Sequence, residues 1–278
     1  METWFWILGW SLSILTITGN GFIIFLVYSK RQLRTKTNAF IVSLAVADFC
    51  VGLSAVPSMF FCEIATGCDS QSVEISLIKC LFAFASVMNL CSLVLDRYIA
   101  VVMPLKYLTF MKRRRIVQMI SLSWAIPVGF VMVFEIIWVI LKLSYLFPIF
   151  IWIGMICFEF LPSAMLIFCF TSMLCVVCKH DRAARTLAKQ LRFNHRVLFK
   201  SQEMSAVKVM AIVISLFLVC YGLFMRCSFK LIFHDHKTCN DHEYKIPVLV
   251  LNSAVNPIAY AFYKRDIKKE IQRVFKKR

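Results

Sequence analysis

Seven apolar stretches, each long enough to cross a lipid bilayer, leave this chain almost no other way to fold. They cover residues 4–28, 39–62, 72–103, 116–141, 145–178, 206–233 and 244–262. A hydrocarbon core about 30 Å thick takes about 20 apolar residues per helix, and its dryness forces each backbone polar group to be satisfied internally. The chain of 278 residues is 60% hydrophobic, with mean hydropathy +0.75, against about 45–50% apolar residues in an ordinary soluble domain. The expectation is a single all-α membrane domain over residues 1–278, a seven-transmembrane helix bundle.

Basic residues flanking membrane spans stay on the cytoplasmic side. Lys30, Arg31, Arg34 and Lys36 follow the first stretch, and Lys106, Lys112, Arg113, Arg114 and Arg115 follow the third. Residues 179–200 and 264–278 are basic as well, whereas Glu63, Asp69, Glu74, Asp235, Asp241 and Glu243 fall in the opposite connections. A multi-pass protein of the plasma membrane is expected, with its amino terminus outside and its tail in the cytoplasm. The net charge of +17 then reads as a topology signal and an attraction to anionic inner-leaflet lipid, not as nucleic-acid binding. Only Met1, Glu2 and Thr3 precede the first stretch, so that helix is expected to act as its own insertion signal.

The connection at 142–147 is too short for a lid over the outer face. The connection at 179–200 has no Pro or Gly and reads as a continuation of the fifth and sixth helices. Beyond the seventh stretch, Ile267, Ile271, Val274 and Phe275 recur at helical spacing among Lys268, Lys269, Arg273 and Lys276. That pattern predicts a short amphipathic eighth helix over 263–276 on the membrane surface, with no Cys to carry a palmitoyl group. Of the 12 cysteines, Cys50, Cys91, Cys157, Cys169, Cys175, Cys178 and Cys220 read as small packing residues within or at the inner ends of spans. Cys62, Cys68, Cys80, Cys227 and Cys239 lie toward the outside, where oxidation is possible, and Cys227, Cys68 and Cys62 are alternative partners for Cys239 among which the sequence does not choose. No Asn-x-Ser/Thr acceptor occurs.

Polar residues in mid-membrane are costly, about 2.5–3.5 kcal/mol for a charge at the bilayer centre on insertion scales. Asn20, Asp48, Ser86, Asn89, Asn252, Ser253 and Asn256 occupy such depths on four different stretches. One carboxylate among amide and hydroxyl oxygens suits a hydrated monovalent cation; a hydrogen-bond network that only joins helices is the other reading. At the inner edge of the third stretch, Asp96-Arg97-Tyr98 sets an acid and a base inside an apolar run. Packing requires neither, and the pair points to a switch.

Gly19-Asn20, Leu44-Ala45-Val46-Ala47-Asp48, Asp96-Arg97-Tyr98, Trp124, Pro162 and Asn256-Pro257-Ile258-Ala259-Tyr260 together resemble the rhodopsin-like (class A) G-protein-coupled receptors in order and placement, over nearly the whole chain. The resemblance implies a receptor that passes an extracellular signal to a heterotrimeric G protein by helix rearrangement, and no enzyme. It implies an allosteric sodium site at Asp48, Ser86, Asn252 and Asn256, with Asn20 beside it. It gives Arg97 the role of pairing with Asp96 at rest and meeting the G protein when active. Glu203 falls where family members place a second acidic partner of that arginine, a water-accessible bridge worth about 1 kcal/mol. Leu105, after Pro104, resembles the apolar plug of a G-protein docking loop. In Asn256-Pro257-x-x-Tyr260 the proline removes a backbone hydrogen bond and leaves a hinge.

Several positions depart from the family pattern. Lys79 stands where amine receptors of this family carry an aspartate, which argues against a monoamine anchored there. Lys79, Ala83, Glu159, Tyr221 and Arg226 are the candidate ligand-binding residues, and Lys79 either meets an anionic group or pairs with Glu159. Ser72 occupies the position of the family's usual outer cysteine, and 142–147 contains no Cys, so that disulfide is absent. A short second outer loop of this kind resembles melanocortin and some lipid receptors. In Phe217-x-x-Cys220-Tyr221-Gly222-Leu223, aligned with the family's rotamer switch, Tyr221 replaces tryptophan and Leu223 replaces proline. Phe170 replaces a fifth-helix tyrosine.

The expected ligand is a small molecule, lipid or peptide from outside the cell. A non-signalling or constitutively active seven-helix protein, a decoy or scaffold, is the alternative, favoured by the altered sixth helix. A photoreceptor needs a Schiff-base lysine in the middle of the seventh helix, where Val250 stands. A transporter would show internal repeats and broken helices, which the sequence lacks. His234, His236, Cys239 and His242 form a loose outer cluster whose irregular spacing reads as solvated loop rather than zinc site.

Overall fold

The computed structural model describes residues 3–64, 73–190, 211, 213–223 and 242–276. Glu203 and Arg226 lie outside these residues, as do Ser72, Cys68, Cys227, Cys239, His234 and His236.

The helices in chain order are α1 (Thr3–Ser29), α2 (Lys36–Ile64), α3 (Val73–Val102), α4 (Pro104–Phe110), α5 (Arg113–Glu135), α6 (Phe147–Met155), α7 (Leu161–Gln190), α8 (Val213–Leu223), α9 (His242–Tyr263) and α10 (Arg265–Lys276). Five helical units among the described residues are long and apolar enough to cross a membrane. They are α1, α2, α3, α5 with the turn that follows it, and the unit running from Pro148 to Lys179 through α6 and α7. The apolar α8 belongs to the sixth stretch and α9 to the seventh. α10 turns off α9 by 83°, the bend that lays an amphipathic helix across the end of a bundle.

Side chains along α1 explain its place. Phe5, Gly9, Ser13, Thr16, Asn20 and Ile23 are buried, and their steps of three and four residues form one stripe. That stripe packs on α2 and α9. Glycine makes the α1–α2 approach close: a Cβ on Gly9 would meet Val56 Cγ2 at 3.1 Å, and one on Gly52 would meet Ile17 Cγ1 at 3.0 Å. Small residues at such contacts are how helices pack without a hydrophobic driving force between them. Among the five spans α2 is the most deeply buried, and the fourth and fifth are the most exposed together, their apolar outer faces uncovered by other described helices.

The fourth and fifth spans each contain a π-helical turn, Ile136–Ile140 and Ile156–Phe160. Such turns insert an extra residue and re-aim the side chains around them; the second carries Glu159. Between the spans, Lys142 adopts a left-handed φ of 52° and the short turn Ser144–Leu146 leads into α6. α7 runs on to Gln190, well past Lys179, where the apolar span ends. The break between α9 and α10 falls at Lys264, so α10 begins at Arg265 and not at 263.

Cys91, Cys169 and Cys220 are buried, as packing residues should be, but Cys175 and Cys178 are exposed. Hydropathy does not distinguish the two faces of a helix, and these two lie on the uncovered face of α7. Cys62 is disulfide-bonded, while Cys80 is free.

Candidate functional site

Polar groups in the bundle form three layers: inner, middle and outer. At the inner end, the last turns of α3 hold Asp96 fully buried. Arg97 Nε donates to Asp96 Oδ2 at 3.0 Å and Arg97 Nη2 donates to the same oxygen. Nη2 also donates to Thr37 Oγ1 on α2. The second carboxylate oxygen accepts from the Tyr107 hydroxyl on α4 at 2.9 Å. Burial first, and then the Asp96 carboxylate, push the Tyr107 phenol above its ordinary pKa, so it stays a donor near neutral pH. Asp96 is therefore held by a base and a phenol, and Arg97 by an acid and a hydroxyl. The arrangement restrains Arg97 across α2, α3 and α4 with bonds that a stronger partner can replace.

Beside this cluster, Lys264 donates through Nζ to Asn38 Oδ1 on α2, and Asn38 Nδ2 donates to Leu33 O at 2.6 Å. This ties the α9–α10 junction to the start of α2. Desolvation by burial, then the Arg97 guanidinium, lower the Lys264 pKa to about 7. Leu105 is 92% exposed on α4, an apolar side chain standing free at the inner face. Tyr98 packs against the core, its ring 6.0 Å from that of Phe168.

In the middle layer Asp48 is fully buried. Its Oδ1 accepts from Ser86 Oγ at 2.6 Å and its Oδ2 from Asn256 Nδ2 at 2.8 Å, joining α2, α3 and α9. Asn20 Nδ2 donates to Thr16 O at 3.0 Å and Ser253 O at 3.2 Å, while Asn20 Oδ1 is buried without a hydrogen-bond partner. Asn252 is buried as well. An ionised carboxylate has about four lone-pair sites; Ser86 and Asn256 engage one on each oxygen, and the Ser253 side chain is a further hydrogen-bond donor to it. Together with the orphaned Asn20 oxygen, these hard oxygen donors fit a small monovalent cation. Asn89 does not join this set: its Oδ1 accepts from Ser43 Oγ at 2.6 Å, and Ser43 in turn accepts from Trp124 Nε1 at 3.0 Å. Tyr260 is buried one turn below Asn256, and its hydroxyl has no hydrogen-bond partner. A buried hydroxyl left unpaired costs about 1–3 kcal/mol, which a move toward other polar groups would relieve.

In the outer layer, Glu159 is buried on the π turn, and its Oε2 has no hydrogen-bond partner. No ion pair joins it to the half-buried Lys79 of α3. Ala83 is buried one turn below Lys79. Phe158, next to Glu159, stacks on Phe84 of α3 at 4.1 Å between ring centroids. On α8, Phe217 and Tyr221 stack at 4.2 Å and both are buried.

Sequence reasoning missed Thr37, Asn38, Tyr107, Lys264 and Ser43. Each is a common polar residue near a helix end or on a helix face, and only the packing of separate helices shows what it touches. The sequence marks Trp124 but not its partner, Ser43. Arg226 and Glu203 fall outside the described residues.

Residues 19–260 match the profile of the family described as 7 transmembrane receptor (rhodopsin family). A probable G-protein coupled receptor of Amphibalanus amphitrite is 35% identical over 118 residues, which cover 41% of this chain and 25% of that protein. The 5-hydroxytryptamine receptor 2C of Homo sapiens is 32% identical over 130 residues, covering 42% and 26%. These matches thus span about a quarter of those relatives' own length. The adenosine receptor A2b of Gallus gallus aligns over 100% of this chain and 89% of its own length at 24% identity. Among solved structures, squid rhodopsin superposes with a TM-score of 0.74 at 22% identity, covering 98% of this chain and 84% of that one. The shared fold is a seven-helix membrane bundle.

Proposed function

Because this chain belongs to the 7 transmembrane receptor (rhodopsin) family, whose members are receptors rather than enzymes, we propose that it couples an extracellular ligand to a heterotrimeric G protein. The observation that carries the reading is the restrained Arg97, held by Asp96 and Thr37 at the inner edge of the bundle. Release of that guanidinium is the output step. Arg97, the exposed Leu105 and the basic inner connections form the face offered to the G protein. Orientation follows from the basic residues, with the tail in the cytoplasm of a plasma-membrane protein.

Between input and output lies the Asp48 layer. Asp48, Ser86, Asn252 and Asn256, with Asn20 beside them, would hold a sodium ion, whose charge offsets the buried carboxylate and favours the resting packing of α2, α3 and α9. Pro257 interrupts the hydrogen bonding of α9 next to this layer, which lets Tyr260 swing inward when the helices separate.

The ligand side rests on the outer layer. Lys79 on α3 and Glu159 on the π turn supply charges of both signs, and Ala83 and Tyr221 line the depth between them. Arg226 adds a further candidate cation. A ligand bearing an anionic group for Lys79, lipid-like or peptidic, is favoured over a monoamine. A Schiff-base chromophore has no lysine at the buried Val250.

The test is a ligand-library screen in cells with a G-protein activation readout, with Arg97→Ala as the silent control. The expected result is a ligand or basal signal that Arg97→Ala abolishes at equal surface expression. A well-expressed parent that never differs from Arg97→Ala would leave the decoy or scaffold reading.

A further inference from the structure

The two exposed cysteines of α7 have no part in the three polar layers. Leu166, Cys169 and Met173 are buried along one face of this helix, whereas Phe168, Leu174, Cys175 and Cys178 are exposed. Thr171 is exposed too. With 3.6 residues per turn, positions 168, 171, 175 and 178 fall in one stripe. Leu161 at 60% and Phe168 at 60% exposure continue that stripe toward the outer side. A largely apolar stripe left exposed among the described residues of a membrane-spanning helix faces lipid acyl chains.

Depth adds a second observation. The apolar span ends at Lys179, so Cys178 lies at the hydrocarbon boundary and Cys175 about one turn, ~4.5 Å, further in. Lys179 and Arg182 follow on the same helix, with Arg185 and Lys189 beyond them and Asp181 as the one acid from 179 to 200, a net basic segment drawn to anionic inner-leaflet lipid. Of the other cysteines on described helices, Cys91, Cys169 and Cys220 are buried, Cys50, Cys80 and Cys157 are partly covered, and Cys62 is buried in a disulfide. The surface helix α10, the other place for an inner-leaflet anchor, contains no cysteine.

We propose that Cys175 and Cys178 form an S-acylation site that carries long-chain fatty acyl groups as thioesters. Juxtamembrane cysteines with their thiols toward lipid are the acceptors of this reversible modification. The sulfur of the deprotonated cysteine attacks the carbonyl carbon of a long-chain acyl-coenzyme A. A new S–C bond forms, the donor's C–S bond breaks, and coenzyme A leaves as the thiol, taking up the proton that the cysteine gave up. Nothing is oxidised or reduced. The acyl chains lie along the Phe168–Leu174 stripe and pin the inner end of the fifth span to the membrane. The site rests on the cytoplasmic placement of that end proposed above, because the acyl donor is cytosolic.

The experiment uses the full-length receptor in cultured cells. Free thiols are blocked, thioesters are cleaved with neutral hydroxylamine, and the thiols released are tagged with a polyethylene-glycol maleimide that shifts the band on a gel. The parent is expected to show a hydroxylamine-dependent shift of two tags. Cys175→Ser and Cys178→Ser each lose one, and the double variant loses both at unchanged surface expression. No hydroxylamine-dependent shift in the parent, or a shift that survives in the double variant, overturns the proposal. Should the double variant fail to reach the surface, mass mapping of acyl groups on the parent decides: acylation at 175 and 178 supports the site, and acylation confined to other cysteines overturns it. An impermeant maleimide that reaches the freed thiols in intact cells overturns the orientation instead.

Discussion

Tyr107 is the residue with most leverage on the inner cluster for the least change in shape. Its hydroxyl supplies one of the donors to a fully buried carboxylate, and a hydrogen bond to a charged group contributes about 1.5–3 kcal/mol. Tyr107→Phe is expected to leave expression intact and to raise basal G-protein activation, because Asp96 then binds Arg97 within a weakened network; basal nucleotide exchange in membranes measures it. Lys264 makes a pH prediction. Its pKa in the folded protein is about 7 against 10.5 for the unreacted side chain, so between these values the unfolded chain binds more protons than the folded one. Stability therefore rises as pH climbs from about 7 toward 10. A thermal melt of the detergent-solubilised receptor should gain stability from pH 7 to pH 9, and Lys264→Met should flatten that slope. Neither residue was legible as a site in the sequence. Asp96 and Arg97 were, because a charged pair inside an apolar run has a cost that is visible without coordinates.

Among the helices, the α1–α2 contact is the least tolerant. An added Cβ at Gly52 already stands 3.0–3.2 Å from Ile17 and Thr16, so Gly52→Val must push two backbones apart, where Gly52→Ala needs only a small adjustment. Overpacking of this kind costs about 1–3 kcal/mol. Gly52→Val is expected to lower the melting temperature of the solubilised protein by several degrees and to reduce surface expression, with Gly52→Ala in between; an unchanged melt for the valine variant would show that α1 is free to shift. The amphipathic pattern of 263–276 was readable from the spacing of Ile267, Ile271 and Val274. The π turns at 136–140 and 156–160 were not, since both runs are apolar and a one-residue insertion leaves hydropathy unchanged.

For the whole molecule, the Asp48 layer is the place where spans far apart in sequence are coupled. Ser86 and Asn256 reach one carboxylate from α3 and α9, 38 and 208 residues away. If this layer binds sodium, replacing choline chloride with sodium chloride at constant ionic strength raises the melting temperature of the parent, and Asp48→Asn removes the sodium-specific increment. An equal response to both salts in the parent would count against the cation. The sequence by itself determined the membrane class, the seven stretches and the depth of Asp48, Asp96 and Arg97, because hydrophobic length and the cost of buried charge are properties of local composition. Only the tertiary structure decided which polar group answers which. It gave Asn89 and Trp124 to Ser43, Tyr107 to Asp96 and Lys264 to Asn38, and it turned Cys175 and Cys178 outward. Hydrogen bonds between helices and the choice of face are set by packing across long loops, and no periodicity within one segment encodes them.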